Sequence, residues 1–292
     1  MPNPTPFYEK VQSHYDLSDE FFELFLDPTR TYSCAYFERD DMSLEEAQRA
    51  KIDLALRKCD LRPGMRLLDI GCGWGSTMMR AAEHYDVDVI GLTLSRNQYE
   101  HVSGLLSRMS SGGRSAEVRL QGWEDFDEPV DRIVSIGAFE HFRRQRYDMF
   151  FERVSRILPE DGRMLLHTIV GHSRPQLEAM KVAVTRDDAL FLRFIMREIF
   201  PGGQLPERDQ IIFGGQRHGF WVQNIESLQP HYARTLDLWA KALEEQHDDA
   251  VQLASEEVYQ RYLRYLTGCA ANFRRRLIDV QQFTLVKQSL PT

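Results

Sequence analysis

Cysteine is scarce: four in 292 residues, at positions 34, 59, 72 and 269, with no Cys-x-x-Cys pair among them. That spacing argues against a disulfide scaffold and against a structural metal site, and it points to a reduced, cytoplasmic setting. Long apolar runs are missing too. None approaches the roughly 18–20 residues that span a bilayer, which excludes a transmembrane segment. Positive charge is in deficit, with 36 Lys and Arg against 44 Asp and Glu, a net charge of −8. Such a chain repels phosphate unless one face is locally basic, so nucleic acid is not an expected partner. Met1-Pro2-Asn3-Pro4 has neither the basic start nor the apolar stretch of a signal peptide. Internal repeats and low-complexity tracts are absent. What remains is 42% apolar and 27% charged residues, the profile of a globular chain with a sizeable core.

The chain divides by rhythm. Residues 1–60 read as a helical cap. Ser18 is placed to cap a helix carrying Asp19 and Glu20 in its first turn, then Phe21, Phe22, Leu24, Phe25 and Leu26, stopped by Asp27-Pro28. Ser43 is placed to cap a second helix over 43–60. From 61 to 169 strands and helices alternate: strands at 66–70, 87–92, 116–121, 132–136 and 163–169, helices at 76–85, 96–109 and 146–158. This spacing predicts an α/β fold with a doubly wound, mostly parallel sheet. Residues 170–217 interrupt it with a helical insertion. There the stripe Leu190, Phe191, Phe194, Ile195 and Ile199 ends at Pro201-Gly202-Gly203, and it reads either as the wall of an acyl tunnel or as ordinary core. Residues 218–292 return to the core with strands at 220–225 and 283–287 around a helical stretch. The whole reads as a single domain with seven strands.

The strongest local signal is Leu67-Leu68-Asp69-Ile70-Gly71-Cys72-Gly73-Trp74-Gly75, a strand running into three alternating glycines and then a helix. Glycines let the backbone turn tightly and approach a ligand, and the helix start offers free N–H groups. A tight turn without a ligand is the plain alternative, but the loop follows the first strand of an alternating series. Dinucleotide loops need Gly-x-Gly-x-x-Gly, which this is not. The pattern resembles the Asp-x-Gly-x-Gly-x-Gly loop of S-adenosylmethionine-dependent methyltransferases. Those enzymes often carry an acidic residue after the second strand. This chain has Gly91-Leu92-Thr93-Leu94-Ser95-Arg96-Asn97-Gln98, where Gln98 is the nearest polar group of suitable reach.

Further segments narrow the likeness: Thr31-Tyr32-Ser33-Cys34-Ala35-Tyr36-Phe37, Gln121-Gly122-Trp123-Glu124, Ser135-Ile136-Gly137-Ala138-Phe139-Glu140-His141-Phe142, Leu165-Leu166-His167-Thr168, Gln229-Pro230-His231-Tyr232-Ala233 and Tyr265-Leu266-Thr267-Gly268-Cys269. In order and spacing the chain resembles the cyclopropane-mycolic-acid synthases and related mycolic-acid methyltransferases, from His14-Tyr15-Asp16 to Gln282-Phe283-Thr284. The resemblance implies S-adenosyl-L-methionine as cofactor. Tyr32 and Ser33 would meet its methionine end, and Gly71, Gly73 and Gly75, with Asp69 before them, would form its floor. Thr93, Leu94 and Gln98 would meet the ribose, and Trp123 and Glu124 the adenine. It also implies a bicarbonate ion held by Cys34, Glu140, His167, Tyr232 and the backbone at Ile136–Gly137. The implied substrate is a long unsaturated acyl chain, carried on an acyl-carrier protein.

An unactivated alkene is a poor nucleophile and a sulfonium methyl a strong electrophile, so the site must align them and exclude water. Attack leaves a carbocation that aromatic faces stabilise. Ring closure then needs a base that does not trap the cation, a role a buried bicarbonate fits. A carboxylate beside that ion needs a shared proton or a cation nearby, such as a protonated His167. Plainer roles stand beside these: Cys34 as a small buried residue, His167 as a core histidine, Tyr232 with His231 as a surface pair, Cys269 as a core or tunnel thiol rather than a reacting one. The basic runs Arg143, Arg144, Arg146 and Arg274-Arg275-Arg276 are solvated faces or a dock for an acidic carrier. Cyclopropanation is the leading reading. Methyl transfer without ring closure and a cofactor-binding protein without catalysis are its rivals.

Overall fold

The computed structural model describes residues 19–109 and 114–287. Ser18 and the segment 14–16 lie outside the described residues. Strands β1 (Arg66–Ile70), β2 (Asp88–Thr93), β3 (Ala116–Leu120), β4 (Arg132–Ile136), β5 (Arg163–Gly171), β6 (Phe220–Ser227) and β7 (Ile278–Lys287) form a seven-stranded sheet. Its order is 3-2-1-4-5-7-6, as the doubly wound expectation requires. The first five strands are parallel, and β7 runs antiparallel to both β5 and β6. The strand order reverses between β1 and β4, which opens a crevice at their carboxyl ends.

Period-two alternation splits the core between two faces. Leu68, Ile133, Leu166 and Phe283 pack on one side with Phe150, Phe151 and Val154 of α5 (Tyr147–Ile157) and Ile211 of α8 (Arg208–Arg217). Leu67, Val134 and Leu165 pack on the other with Ile52, Ala55 and Leu56 of α2 (Leu44–Lys58) and Met78 and Ala81 of α3 (Ser76–His84). Helix α4 (Arg96–Leu106) completes the β2–β3 crossover. The expected cap at Ser43 is present as a full capping box with Glu46.

A separate aromatic cluster forms where the cap meets the C-terminal helices. Phe21 and Phe22 of α1 (Asp19–Glu23), with Phe25 just after it, pack on Trp239 of α9 (Gln229–Glu245) and Tyr262 of α11 (Glu256–Arg274), with α10 (His247–Leu253) beside them. The first helix is shorter than the sequence implied, because Phe25 and Leu26 follow in a turn. The last strand starts five residues earlier than expected. Gln281 and Gln282 break the apolar pattern, yet both are buried in β7. The insertion also divides: α6 (Arg174–Ala179), α7 (Arg186–Phe194) and a π-turn at Ile195–Ile199 stand over the crevice, whereas α8 belongs to the sheet's core.

Candidate active site

Two cavities adjoin at the crevice and share Tyr32, Ser33, Gly137 and His141. Every residue assigned to the cofactor from the sequence lines the first, with one exception. Gly73, at φ +55°, has no heavy atom within 4 Å of where a Cβ would stand, so the absent side chain is space for a ligand. Gly75 is the exception and a correction. It sits outside the lining, and a Cβ there would stand 2.9 Å from Val102, so its smallness serves the packing of α3 on α4.

The polar groups around this cavity are poised toward it. The Thr93 hydroxyl donates to Gln98 Oε1 at 2.8 Å, which leaves the Gln98 amide nitrogen as the end offered to a ribose. Glu124 is buried, accepts from Arg146 Nη1 at 2.8 Å through one oxygen and has no partner for the other. Burial pushes its carboxyl above the usual range, and Arg146 pulls it back. Asp69 at the end of β1 has an unpartnered Oδ2, and burial pushes its pKa up to about 7 against the pull of Lys51. Lys51, 1% exposed, donates to Ser33 Oγ at 2.7 Å, and burial lowers its pKa to about 8. Beside it Gln48 donates to the carbonyls of Thr31 (3.2 Å) and Ser33 (2.8 Å). An open glycine cradle with unpaired carboxylate oxygens fits S-adenosylmethionine.

Sequence reasoning missed Lys51 and Gln48. The signal was there, since both lie on the buried stripe of α2 with Ala47 and Ala55, where a solvated lysine does not belong. Arg146 was read as part of a basic face, and it pairs inward with Glu124. Arg274 and Arg275 are likewise tied to Asp237 and Asp188.

The second cavity, of about 760 Å³, is lined by Cys34, Glu140, His167, Tyr232 and Cys269, the complete set expected. Glu140 sits on the turn after β4. Its Oε1 accepts from the Ile169 N–H at 2.7 Å, its Oε2 is buried without a partner, and burial raises its pKa to about 6. His167 on β5 is 1% exposed with an unpartnered Nε2. Burial, with Lys51 and Lys58 adding to it, holds its pKa well below the usual value, so the ring is neutral. Burial therefore favours the neutral ring over a protonated His167 as the balancing cation. Tyr232 is 8% exposed and packs on Phe273, so it is no surface pair with His231, whose Nδ1 accepts from the Phe37 N–H at 3.2 Å. The Cys34 thiol is fully buried against the carbonyls of Ala35 and Leu228, and burial keeps it protonated. Burial raises the Cys269 thiol to about 12, which favours its protonated form on the cavity wall, although the residue is only partly buried.

The apolar stripe needs correction. Of its five residues only Ile195 lines the cavity; the neighbouring face, Ala189, Leu192 and Met196, supplies the rest of that wall. Phe191 covers Gly268 of α11, and Phe194 lies under the Arg264 guanidinium at 4.3 Å. Phe191 and Phe194 thus pack the insertion against α11, Leu190 stays exposed, and the helix's adjacent side faces the ligand space.

A sheet of this order, reversing over an open glycine cradle, has the class I methyltransferase fold, and the chain's relatives make it an S-adenosylmethionine-dependent methyltransferase. It belongs, more narrowly, to the mycolic acid cyclopropane synthetase family, whose profile matches residues 3–283. It is 60% identical over 282 residues to cyclopropane mycolic acid synthase 1 of Mycobacterium tuberculosis H37Rv, covering 97% of this chain and 98% of the relative. The S-adenosylmethionine-dependent methyltransferase UmaA of the same organism is 58% identical over 287 residues, 98% of this chain and 100% of UmaA. The solved structure of mycolic acid cyclopropane synthase CmaA1 complexed with SAH and CTAB superposes with a TM-score of 0.95 at 59% identity, covering 98% of this chain and all of that one.

Proposed function

We propose that this enzyme adds a methylene bridge across a double bond of a long, mycolic-acid-type acyl chain, closing a cyclopropane ring. S-adenosylmethionine supplies the electrophilic methyl, and a bound bicarbonate supplies the base that takes the last proton. The observation carrying this reading is the pair of unpartnered buried atoms, Glu140 Oε2 and His167 Nε2, on the wall of an acyl-sized cavity beside the cofactor cradle. Buried polar atoms without partners call for a ligand. A small oxyanion bearing its own proton fits both: neutral His167 would donate to an ion oxygen, and Glu140 would accept from the ion's O–H. Tyr232 lines the same cavity near them. Tyr32, Phe200, Tyr232 and Tyr265 present aromatic rings to the cavity, which favours positive charge on an alkene carbon.

The cavity mouth is edged by exposed Val184, Leu192 and Met196, an entry for a chain delivered end-first from a carrier protein. The reading is of a cytoplasmic enzyme; among the described residues no helix is long and apolar enough to cross a membrane. Methyl transfer without ring closure is the second reading, favoured by the likeness to UmaA, a relative described only as a methyltransferase.

Incubation with labelled S-adenosylmethionine and an unsaturated acyl acceptor tests both. A product heavier by CH2 with high-field ring protons supports cyclopropanation. A gain of CH2 plus water, or a branched alkene, overturns it in favour of the second reading.

A further inference from the structure

We propose that Gln282 and Lys58 are positioning residues that fix which nitrogen of His167 carries the proton, so that its N–H faces the acyl cavity. The inference rests on the oxyanion reading of that cavity and adds to it the residues that make His167 a donor.

The arrangement follows from strand register. His167 on β5 lies directly opposite Gln282 on β7, and Gln282 lies directly opposite Glu226 on β6. Directly opposed residues share a face of the sheet, so the three side chains form one polar row across three strands. Lys58, in the last turn of α2, closes the row: its ammonium bonds Glu226 and donates to Gln282 Oε1 at 2.6 Å. Burial pulls Lys58 toward neutrality, and the Glu226 carboxylate beside it pulls the other way.

Donor chemistry then leaves one choice. An ammonium only donates, so the amide atom facing Lys58 is the oxygen. The other end, the Gln282 NH2 group, stands 3.2 Å from His167 Nδ1 and also only donates. Nδ1 is therefore the acceptor, and the neutral ring carries its proton on Nε2, the atom that is buried without a partner. Gln282 is 0% exposed and His167 1%, so no water competes to reset the amide. With the amide reversed, Nε2 would present a lone pair to an anion, and the site would repel what it is built to hold.

The test uses the full-length protein labelled with 15N-histidine. His167 is assigned as the signal lost in His167→Gln, and long-range proton–nitrogen correlation reads its tautomer near neutral pH. The expected result is a protonated Nε2 in the native protein. In Gln282→Glu a carboxylate replaces the amide donor, so the proton moves to Nδ1. Lys58→Met unpins the amide and yields a mixture of tautomers. Turnover in Gln282→Glu falls about 10- to 100-fold, by analogy with the range for partners that orient metal-ligating histidines, with affinity for SAH unchanged. A protonated Nδ1 in the native protein, readable whether or not any variant folds, overturns the proposal. So does an unmoved tautomer in a folded Gln282→Glu, even where added bicarbonate stimulates a depleted preparation. The expected tautomer switch with no bicarbonate effect leaves the positioning role standing and overturns the oxyanion reading alone.

Discussion

Gly73 and Glu140 separate the two ligands at the scale of one residue. Gly73 faces empty cavity, so Gly73→Val places a branched side chain where the cofactor must lie and adds left-handed strain of about 1–2 kcal/mol. Calorimetry is expected to show SAH binding abolished in a protein that still melts cooperatively; unchanged affinity would remove the loop from the site. Glu140 lies in the other cavity, so Glu140→Gln is expected to keep SAH affinity and lose most turnover. Its titration gives a second readout. Burial raises its pKa to about 6 from an ordinary 4.5, so the folded state holds the proton more tightly than the unfolded one. Native stability is thus fully supported below pH ~4.5 and is lost as pH rises through about 6, by about 2 kcal/mol. Glu140→Gln keeps the acceptor for the Ile169 N–H and escapes that loss. Melting curves of the two proteins should therefore diverge in the variant's favour between acid and neutral pH; parallel curves would contradict a buried carboxyl with one oxygen unpartnered.

Among the elements, α2 links stability to both cavities. It carries Gln48 and Lys51 under the Tyr32–Ser33 segment and Lys58 at the end of the polar row. Its start depends on Ser43, whose side chain accepts from the Glu46 N–H while Glu46 returns a bond to the Ser43 N–H. Ser43→Ala is expected to cost about 1 kcal/mol and to lower the melting temperature by a few degrees, with turnover per folded molecule unchanged. The same helix shows what the sequence could and could not tell. Its cap and apolar stripe were legible because they are local. Gln48 and Lys51 were not read as functional, because their meaning depends on a segment some 15 residues back in sequence. Strands β1 and β4 were placed to the residue, because buried parallel strands are nearly continuous apolar runs. The start of β7 was missed because Gln281 and Gln282 are apolar-patterned only in the negative. They are buried by their neighbours in the sheet, and Gln282 is satisfied by Lys58 and His167, contacts no local window contains. The glycine loop was legible as a short motif, and the Cys34, Glu140, His167, Tyr232 set, which the family resemblance implied, lines one cavity. Gly75 was misassigned, and the insertion's stripe could not be settled between tunnel wall and core, because spacing names a face without naming what it packs against.

For the whole molecule, the shared wall of Tyr32, Ser33, Gly137 and His141 makes two sites into one path, so a chain entering past Leu192 and Met196 runs toward the cofactor. The walls include the apolar Leu177, Ala189, Leu192, Ile195, Leu205 and Leu277. Burying each further methylene there contributes about 0.8 kcal/mol, close to a fourfold gain in affinity per carbon. Affinity for saturated acyl analogues should rise at about that rate and level off once the cavity of about 760 Å³ is filled. Leu192 is 53% exposed at the mouth, so Leu192→Arg does not threaten the core. It sets a cation across the entry that a passing alkyl chain must desolvate. The variant is expected to melt as the native protein does and to bind SAH normally, while KM for long acyl substrates rises and the dependence on chain length flattens. Native affinity that ignores chain length, or a variant whose loss is equal for short and long chains, would show that acyl chains bind elsewhere and that this cavity has another occupant.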